Sequence, residues 1–223
     1  MDKLSQAELA RIYASRFAPA ENYRRRIWQV LVTHYFQKLV PETAAVLDLG
    51  CGYGEFINAV KARARFAMDL NPNSKQHLQP DVRFIHQDCS ARWPFTEGEL
   101  DIVFTSNFFE HLPDKMILGR TLEEAYRALK PNGKLIALGP NIRFTGGQYW
   151  DFWDHYLPLT EASLSEGLAA RGFQIDASHP RFLPYTMVGG PQYPLWMLSA
   201  YLRLPFLWRV AGKQFLVVAR KPG

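Results

Sequence analysis

Val46-Leu-Asp-Leu-Gly-Cys-Gly-Tyr-Gly-Glu55 decides how the rest of this chain is read. With Ala45 before it, AVLDLG is a short, mostly apolar run that then meets glycine at every second position, Gly50, Gly52 and Gly54. A run of that kind suits a strand buried on both faces of a parallel sheet. Glycine at its end admits positive φ and lets a ligand approach the backbone closely. Ligands of open α/β sheets bind beyond the carboxyl ends of the strands. The turn is therefore the first candidate binding element, although a glycine turn by itself is equally a way to reverse the chain.

Outward from it, strand-like and helix-like segments alternate. RFAMDL (65–70) stops at Asn71-Pro72-Asn73, VRFIHQD (82–88) and LDIVFTSN (100–107) follow, and KLIALGPN (134–141) comes after a Pro131-Asn132-Gly133 turn. Helices are expected over 55–63, 113–129 and 160–171, the last closed by Gly172. FQIDAS (173–178) and QFLVVARK (214–221) add two strands, and 141–158 reads as a long loop. Strands alternating with helices imply right-handed βαβ units and a parallel sheet, a doubly wound α/β fold. Ahead of these, 4–17 and 21–39 read as helices, the second with Ile27, Val30, Leu31, His34 and Tyr35 near one face and closed by Pro41. The whole is expected to be one domain over 1–223: a helical cap at 1–40, a core at 41–180, an apolar lid at 181–212 and a last strand at 213–223.

The 223 residues are 48% hydrophobic and 21% charged, which excludes a disordered chain. Cys51 and Cys89 do not make a disulfide framework and read as reduced thiols. MDKLSQAELARIY lacks a signal-peptide core, and no run of about 18 apolar residues marks a membrane span, so a cytoplasmic location is expected. Residues 1–40 carry seven Lys/Arg against three Asp/Glu, 41–180 thirteen against eighteen, and 181–223 six against none. An acidic core between basic ends suits contact with an anionic substrate or surface, or is simply solvated charge.

What surrounds the glycine turn narrows its ligand. The spacing is G-x-G-x-G followed by Glu55, where the dinucleotide fingerprint G-x-G-x-x-G/A wants a small residue. A carboxylate there repels a pyrophosphate, which disfavours a nicotinamide or flavin cofactor; a phosphate-free ligand with a cationic amino-acid end fits better. Asp69 ends the second strand, 21 residues after Asp48, where a carboxylate accepts from ribose hydroxyls. Asp88 ends the third, where an acceptor meets an adenine amino group.

Taken together, VLDLGCGYGEF, MDLN, HQDCS, LDIVFTSNFFEHL and LKPNGKLIALGPN resemble the successive motifs of class I methyltransferases dependent on S-adenosylmethionine (SAM), most closely the broad group that includes the ubiquinone/menaquinone-biosynthesis enzymes. The resemblance spans about residues 41–180. It implies a Rossmann-like seven-stranded sheet in the order 3-2-1-4-5-7-6 with strand 7 antiparallel. It also implies SAM as cofactor, with Asp48 and the Gly50–Gly54 turn, Cys51 and Gly52 included, along the methionine part. By the same resemblance Asp69 would bind the ribose, Leu70 lie beside the adenine, Asp88 and Cys89 face the adenine edge, and Asn107 lie near the sulfonium. Tyr13 and Arg16 of the N-terminal helix would reach the SAM carboxylate.

Methyl transfer from a sulfonium chiefly needs alignment. A hydroxyl acceptor also benefits from a base, and histidine suits that task. His111, in Ser106-Asn-Phe-Phe-Glu-His111, and His155, in Tyr149-Trp-Asp-Phe-Trp-Asp-His-Tyr156, are the candidates. The plain alternative for His111 is a packing residue at a helix start. Tyr149, Trp150, Phe152, Trp153 and Tyr156 are either core or pocket wall. Glu110, His111 and His155 form a set of metal-ligand types, but the first carboxylate of the metal-binding pattern falls on Asn107, so no metal is expected. The Ser106-Asn107-Phe108-Phe109 segment lacks the (Asp/Asn)-Pro-Pro-(Tyr/Phe) motif of amino-methylating DNA enzymes.

The insertion 181–212 is rich in proline and aromatics. Pro194 and Pro205 each open a short helix, and Leu195, Trp196, Leu198, Tyr201, Leu202, Leu204, Phe206, Leu207 and Trp208 are too many apolar groups for one narrow stripe. They cover the sheet edge as a lid or, with Arg203 and Arg209, form a peripheral membrane contact over 193–210 at the inner membrane surface. The overall expectation is O-methylation of a small-molecule, saccharide or lipid-linked acceptor. A non-catalytic SAM-binding or RNA-associated protein is the alternative, although no alternating aromatic and basic run supports nucleic-acid stacking.

Overall fold

The computed structural model describes residues 20–185 and 192–223, together with Glu8 and Arg11. Seven strands form one sheet: β1 (Ala45–Leu49), β2 (Ala64–Asp69), β3 (Val82–His86), β4 (Leu100–Ser106), β5 (Leu129–Pro140), β6 (Gln174–His179) and β7 (Gln214–Arg220). Their order is β3-β2-β1-β4-β5-β7-β6, and β7 alone runs antiparallel to its neighbours, as the motifs imply. Burial follows position. All of β1 is buried, whereas edge strand β6 alternates with the period of two that leaves one face in water.

Successive β1 residues feed two cores. Leu47 and Leu49 meet Trp93, Leu122, Leu164 and Phe215 on one face; Val46 meets Phe36, Phe56, Phe104 and Leu216 on the other. Phe104 of β4 stacks on Phe56 with centroids 3.6 Å apart and takes Phe36 and Trp28 edge-on at 5.2 and 5.9 Å. These rings fasten α1 (Glu21–His34) and α2 (Glu55–Ala59) to the sheet beside the glycine turn. The remaining helices are α3 (Lys115–Ala128), α4 (Ile142–Thr145), α5 (Glu161–Ala169), α6 (Leu195–Arg203) and α7 (Pro205–Ala211).

Several boundaries differ from the sequence reading. Helix 21–39 breaks at Tyr35, whose non-helical backbone lets both Tyr35 and Phe36 pack inward, against Phe182 at 4.7 and 6.1 Å. Val32 joins Leu31 on its buried face, whereas His34 is only half-buried. The helix expected over 55–63 ends at Ala59, because Val60 turns extended and enters the core. Pro131-Asn132-Gly133 is not a free turn. Leu129 already pairs with Leu100, the register shifts, and Lys134 resumes with Ile102, so the segment is an irregularity inside β5 with Asn132 at φ 65°. The loop expected over 141–158 contains α4 and a 3₁₀ segment, Gly146–Asp151. Of the helix read over 4–17, only Glu8 and Arg11 are described, both helical; Tyr13 and Arg16 lie outside the described residues.

Phe104→Ala removes the ring on which both N-terminal elements rest. It is expected to cost about 3–5 kcal/mol, read as a lower urea midpoint at unchanged slope.

Candidate active site

Gly50, Gly52 and Gly54 all have positive φ, 69°, 55° and 71°. A Cβ at Gly50 would lie 2.2 Å from the Phe108 ring, and one at Gly54 would lie 2.3 Å from Leu78. Nothing lies within 4 Å of the corresponding point at Gly52. Gly50 and Gly54 are thus glycine for internal packing, while Gly52 turns its open side outward, where a ligand can touch the backbone.

Three carboxylates gather behind this turn. Asp69 is buried and accepts hydrogen bonds from Gly52 N at 2.9 Å and Asn71 N at 2.8 Å. Burial pushes its pKa up to about 6 against those two bonds. Asp48 is buried beneath α2, where the Ile57 N–H reaches it; burial and then Glu55 hold its pKa well above the usual carboxylate range. Asp48 therefore braces the turn from below. Glu55 pairs with Arg24 of α1 at 2.6 Å, which clamps the N-terminal helix over the turn. Sequence reading missed Arg24, because nothing local singles it out from Arg25 and Arg26. Tyr53 stacks on His77 at 3.7 Å on the same rim.

The adenine-side residues divide. Leu70 is exposed beside Asp69, and its carbonyl accepts from His86 Nε2 at 2.9 Å. Asp88 Oδ1 accepts from both the N–H and the hydroxyl of Ser90 at 2.8 Å. Both thiols are buried. Cys89 Sγ is 3.3 Å from the Thr121 hydroxyl in the core under α3. Cys51 packs in the core beneath α1 and α2, and burial, then Asp69, Asp48 and Glu55, push its thiol pKa well up. Asn107 follows β4 at φ 49°, its amide 3.1 Å from the Ser106 hydroxyl.

Past Asn107, chain segments distant in sequence meet. The Glu110 carbonyl accepts from Tyr156 N at 2.8 Å and Leu157 N at 3.0 Å, which pins the 152–157 segment to the end of β4. His111 Nδ1 lies 2.8 Å from the Asp154 carbonyl and 3.3 Å from its carboxylate. The rings of His111 and His155 meet edge to face at 5.0 Å, and Phe152 stacks on His155 at 4.8 Å. Glu110, Asp154 and His155 are buried; His111 is half-buried. Glu110, His111 and His155 offer ligand atoms all within 4.8 Å of one another. The aromatics split as well: Tyr149 is core, whereas Trp150 and Trp153 are exposed. Asp154 escaped the sequence reading even though it precedes His155.

The methyltransferase-domain family model matches residues 20–178. A methyltransferase-like protein of Schizosaccharomyces pombe is 29% identical over 130 residues, 55% of this chain and 44% of that protein. A methyltransferase of a Mycobacterium strain is 26% identical over 136 residues, 59% and 50% of the two chains. The chain thus spans about half the length of these curated relatives. A SAM-dependent methyltransferase from Archaeoglobus fulgidus superposes with a TM-score of 0.67 at 19% identity, covering 91% of this chain and 97% of that one, a likeness of fold. With the glycine turn and the strand-end carboxylates, the matched domain identifies the chain as a member of the class I SAM-dependent methyltransferases.

Proposed function

We propose that the protein moves the methyl group of SAM to a hydroxyl of a saccharide or lipid-linked acceptor, with His111 taking the hydroxyl proton. The contact between His111 and Asp154 carries this reading. A carbonyl only accepts, so Nδ1 is the donor to Asp154, and in the neutral ring the basic nitrogen is then Nε2. As the acceptor oxygen bonds to the methyl carbon, the carbon–sulfur bond breaks and its electron pair stays on sulfur, leaving S-adenosylhomocysteine. The proton passes to His111 Nε2. Alignment supplies most of the rate, and the base about 10²–10⁴-fold. His155, enclosed by Tyr149 and Phe152, acts as a positioning residue for the His111 ring. Trp150 and Trp153 give flat faces on which a sugar ring stacks.

A second reading has Glu110, His111 and His155 hold a divalent ion that activates the same hydroxyl, favoured by their mutual spacing. Chelation separates the two. Full turnover of the ion-free enzyme supports the base, and lost turnover restored by zinc or manganese overturns it.

Two measurements test the rest. A methyl-transfer screen over saccharide, lipid-linked and quinone precursors should yield a methyl ether, and His111→Gln should lower its rate at least about 100-fold without weakening SAM binding. Transfer to carbon or nitrogen alone would refute the hydroxyl reading. For the cofactor, calorimetry should show SAM affinity falling roughly tenfold from pH 7.5 to 5.0, because Asp69 loses its charge below about 6. Asp69→Asn should bind weakly throughout and flatten that dependence.

A further inference from the structure

β6 runs in the direction of β5, so Pro180, which follows β6, and Lys213, which precedes β7, lie at the carboxyl edge of the sheet, the edge of the glycine turn. Lys213 Nζ donates to Gln148 Oε1 at 2.7 Å, and Arg181 lies over the Phe144 ring at 4.2 Å. The insertion is therefore fastened to the 142–157 segment that carries Trp150, Trp153 and His155.

α6 and α7 have two unlike sides. Leu198, Tyr201, Leu202 and Trp208 face inward, the Trp208 indole donating to the Tyr201 carbonyl at 2.9 Å and the Tyr201 hydroxyl to the Phe182 carbonyl at 2.6 Å. The outward side of α6 carries Trp196, 70% exposed, with Met197 and, about two turns on, Arg203 and Leu204. That of α7 carries Phe206, 62% exposed, Arg209 and Val210, 77% exposed. The spacings of Trp196, Met197 and Arg203 (i, i+1, i+7) and of Phe206, Arg209 and Val210 (i, i+3, i+4) put each set on one helix face, with Leu204 exposed at the junction.

We propose that this face docks on an anionic lipid bilayer, with α6 and α7 lying in the membrane plane. Trp196, Phe206 and Val210 would enter the headgroup–acyl boundary while Arg203 and Arg209 extend their stems to lipid phosphates. Charge argues for a lipid surface: residues 181–213 hold four Lys/Arg and no Asp or Glu that would repel it. Contact in the plane suits these helices, because no helix among the described residues is long and apolar enough to cross a membrane. Docking there brings the exposed Trp150 and Trp153, and the histidine cluster behind them, towards the headgroup layer, where a lipid-linked acceptor would be met.

The test is flotation of the whole chain with vesicles of phosphatidylcholine alone or mixed with phosphatidylglycerol. Binding to the mixed vesicles, weakened by salt, is expected. Arg203→Glu with Arg209→Glu should reduce it at least about tenfold, and Trp196→Ser with Phe206→Ser should abolish it. Unchanged SAM affinity shows that these surface variants remain folded. No binding of the unaltered chain to anionic vesicles, or binding indifferent to both pairs, overturns the proposal. So does a dimer that dissociates in Trp196→Ser while vesicles are ignored, since the face would then belong to a second copy. No acceptor is used, so the result is independent of the methyl-transfer reading.

Discussion

The Asp69 carboxylate, buried at the end of β2, holds the glycine turn and the start of the next loop through two backbone N–H groups. Burying a carboxylate costs free energy, and its raised pKa records that cost. Removing the acceptor would leave Gly52 N and Asn71 N unsatisfied, at about 1–3 kcal/mol each. The turn thus stands on a charge. Asp48 lies beneath it and Glu55 beside it, with Arg24 opposing only the last by direct contact. A pyrophosphate would meet three carboxylates there, whereas a sulfonium and an ammonium meet their complement.

Bracing the turn is a task that sequence reading did not assign to Asp69, beside the ribose contact that the motif resemblance implies. Its two oxygens accept from Gly52 N and Asn71 N, and the Leu70 N–H adds to them. A carboxylate already oriented by the protein lowers the ordering cost of any donor it receives.

The strand ends that carry the cofactor candidates were legible because their signals are local. A buried strand, alternate glycines and an acidic residue at a strand end each sit within a few positions of one another, and Asp48, Gly52, Asp69 and Leu70 all fall at the carboxyl edge. Where a side chain faces is decided by distant neighbours, and there the reading lapsed. Cys51 and Cys89 stand in the right segments, but their sulfurs are drawn into the two cores. α2 stops early because Val60 has a place in the core. The approach of Asp154 to His111 spans 43 positions and exists only because the Glu110 carbonyl captures Tyr156 and Leu157. No periodicity in either segment announces it.

The acceptor side is held as firmly as the cofactor side, through one buried amide. Asn141, at the end of β5, donates to Glu161 of α5 at 2.5 Å and to the Pro180 carbonyl at 2.9 Å. Its side-chain Oδ1 accepts from Arg143 N at 3.2 Å, and its backbone N–H donates to the Lys213 carbonyl at 3.0 Å. α4, α5 and both ends of the insertion therefore hang from a single residue on β5. The cofactor turn hangs from β1 and β2, and β4 lies between β1 and β5, carrying Asn107 and the Glu110–His111 pair off its end. Methyl transfer is governed by the placement of acceptor oxygen, methyl carbon and sulfur. Here the glycine turn and the segment that carries Glu110 and His111 are supported by hydrogen-bonded strands of one buried sheet, so the register between β1, β4 and β5 fixes the distance between them.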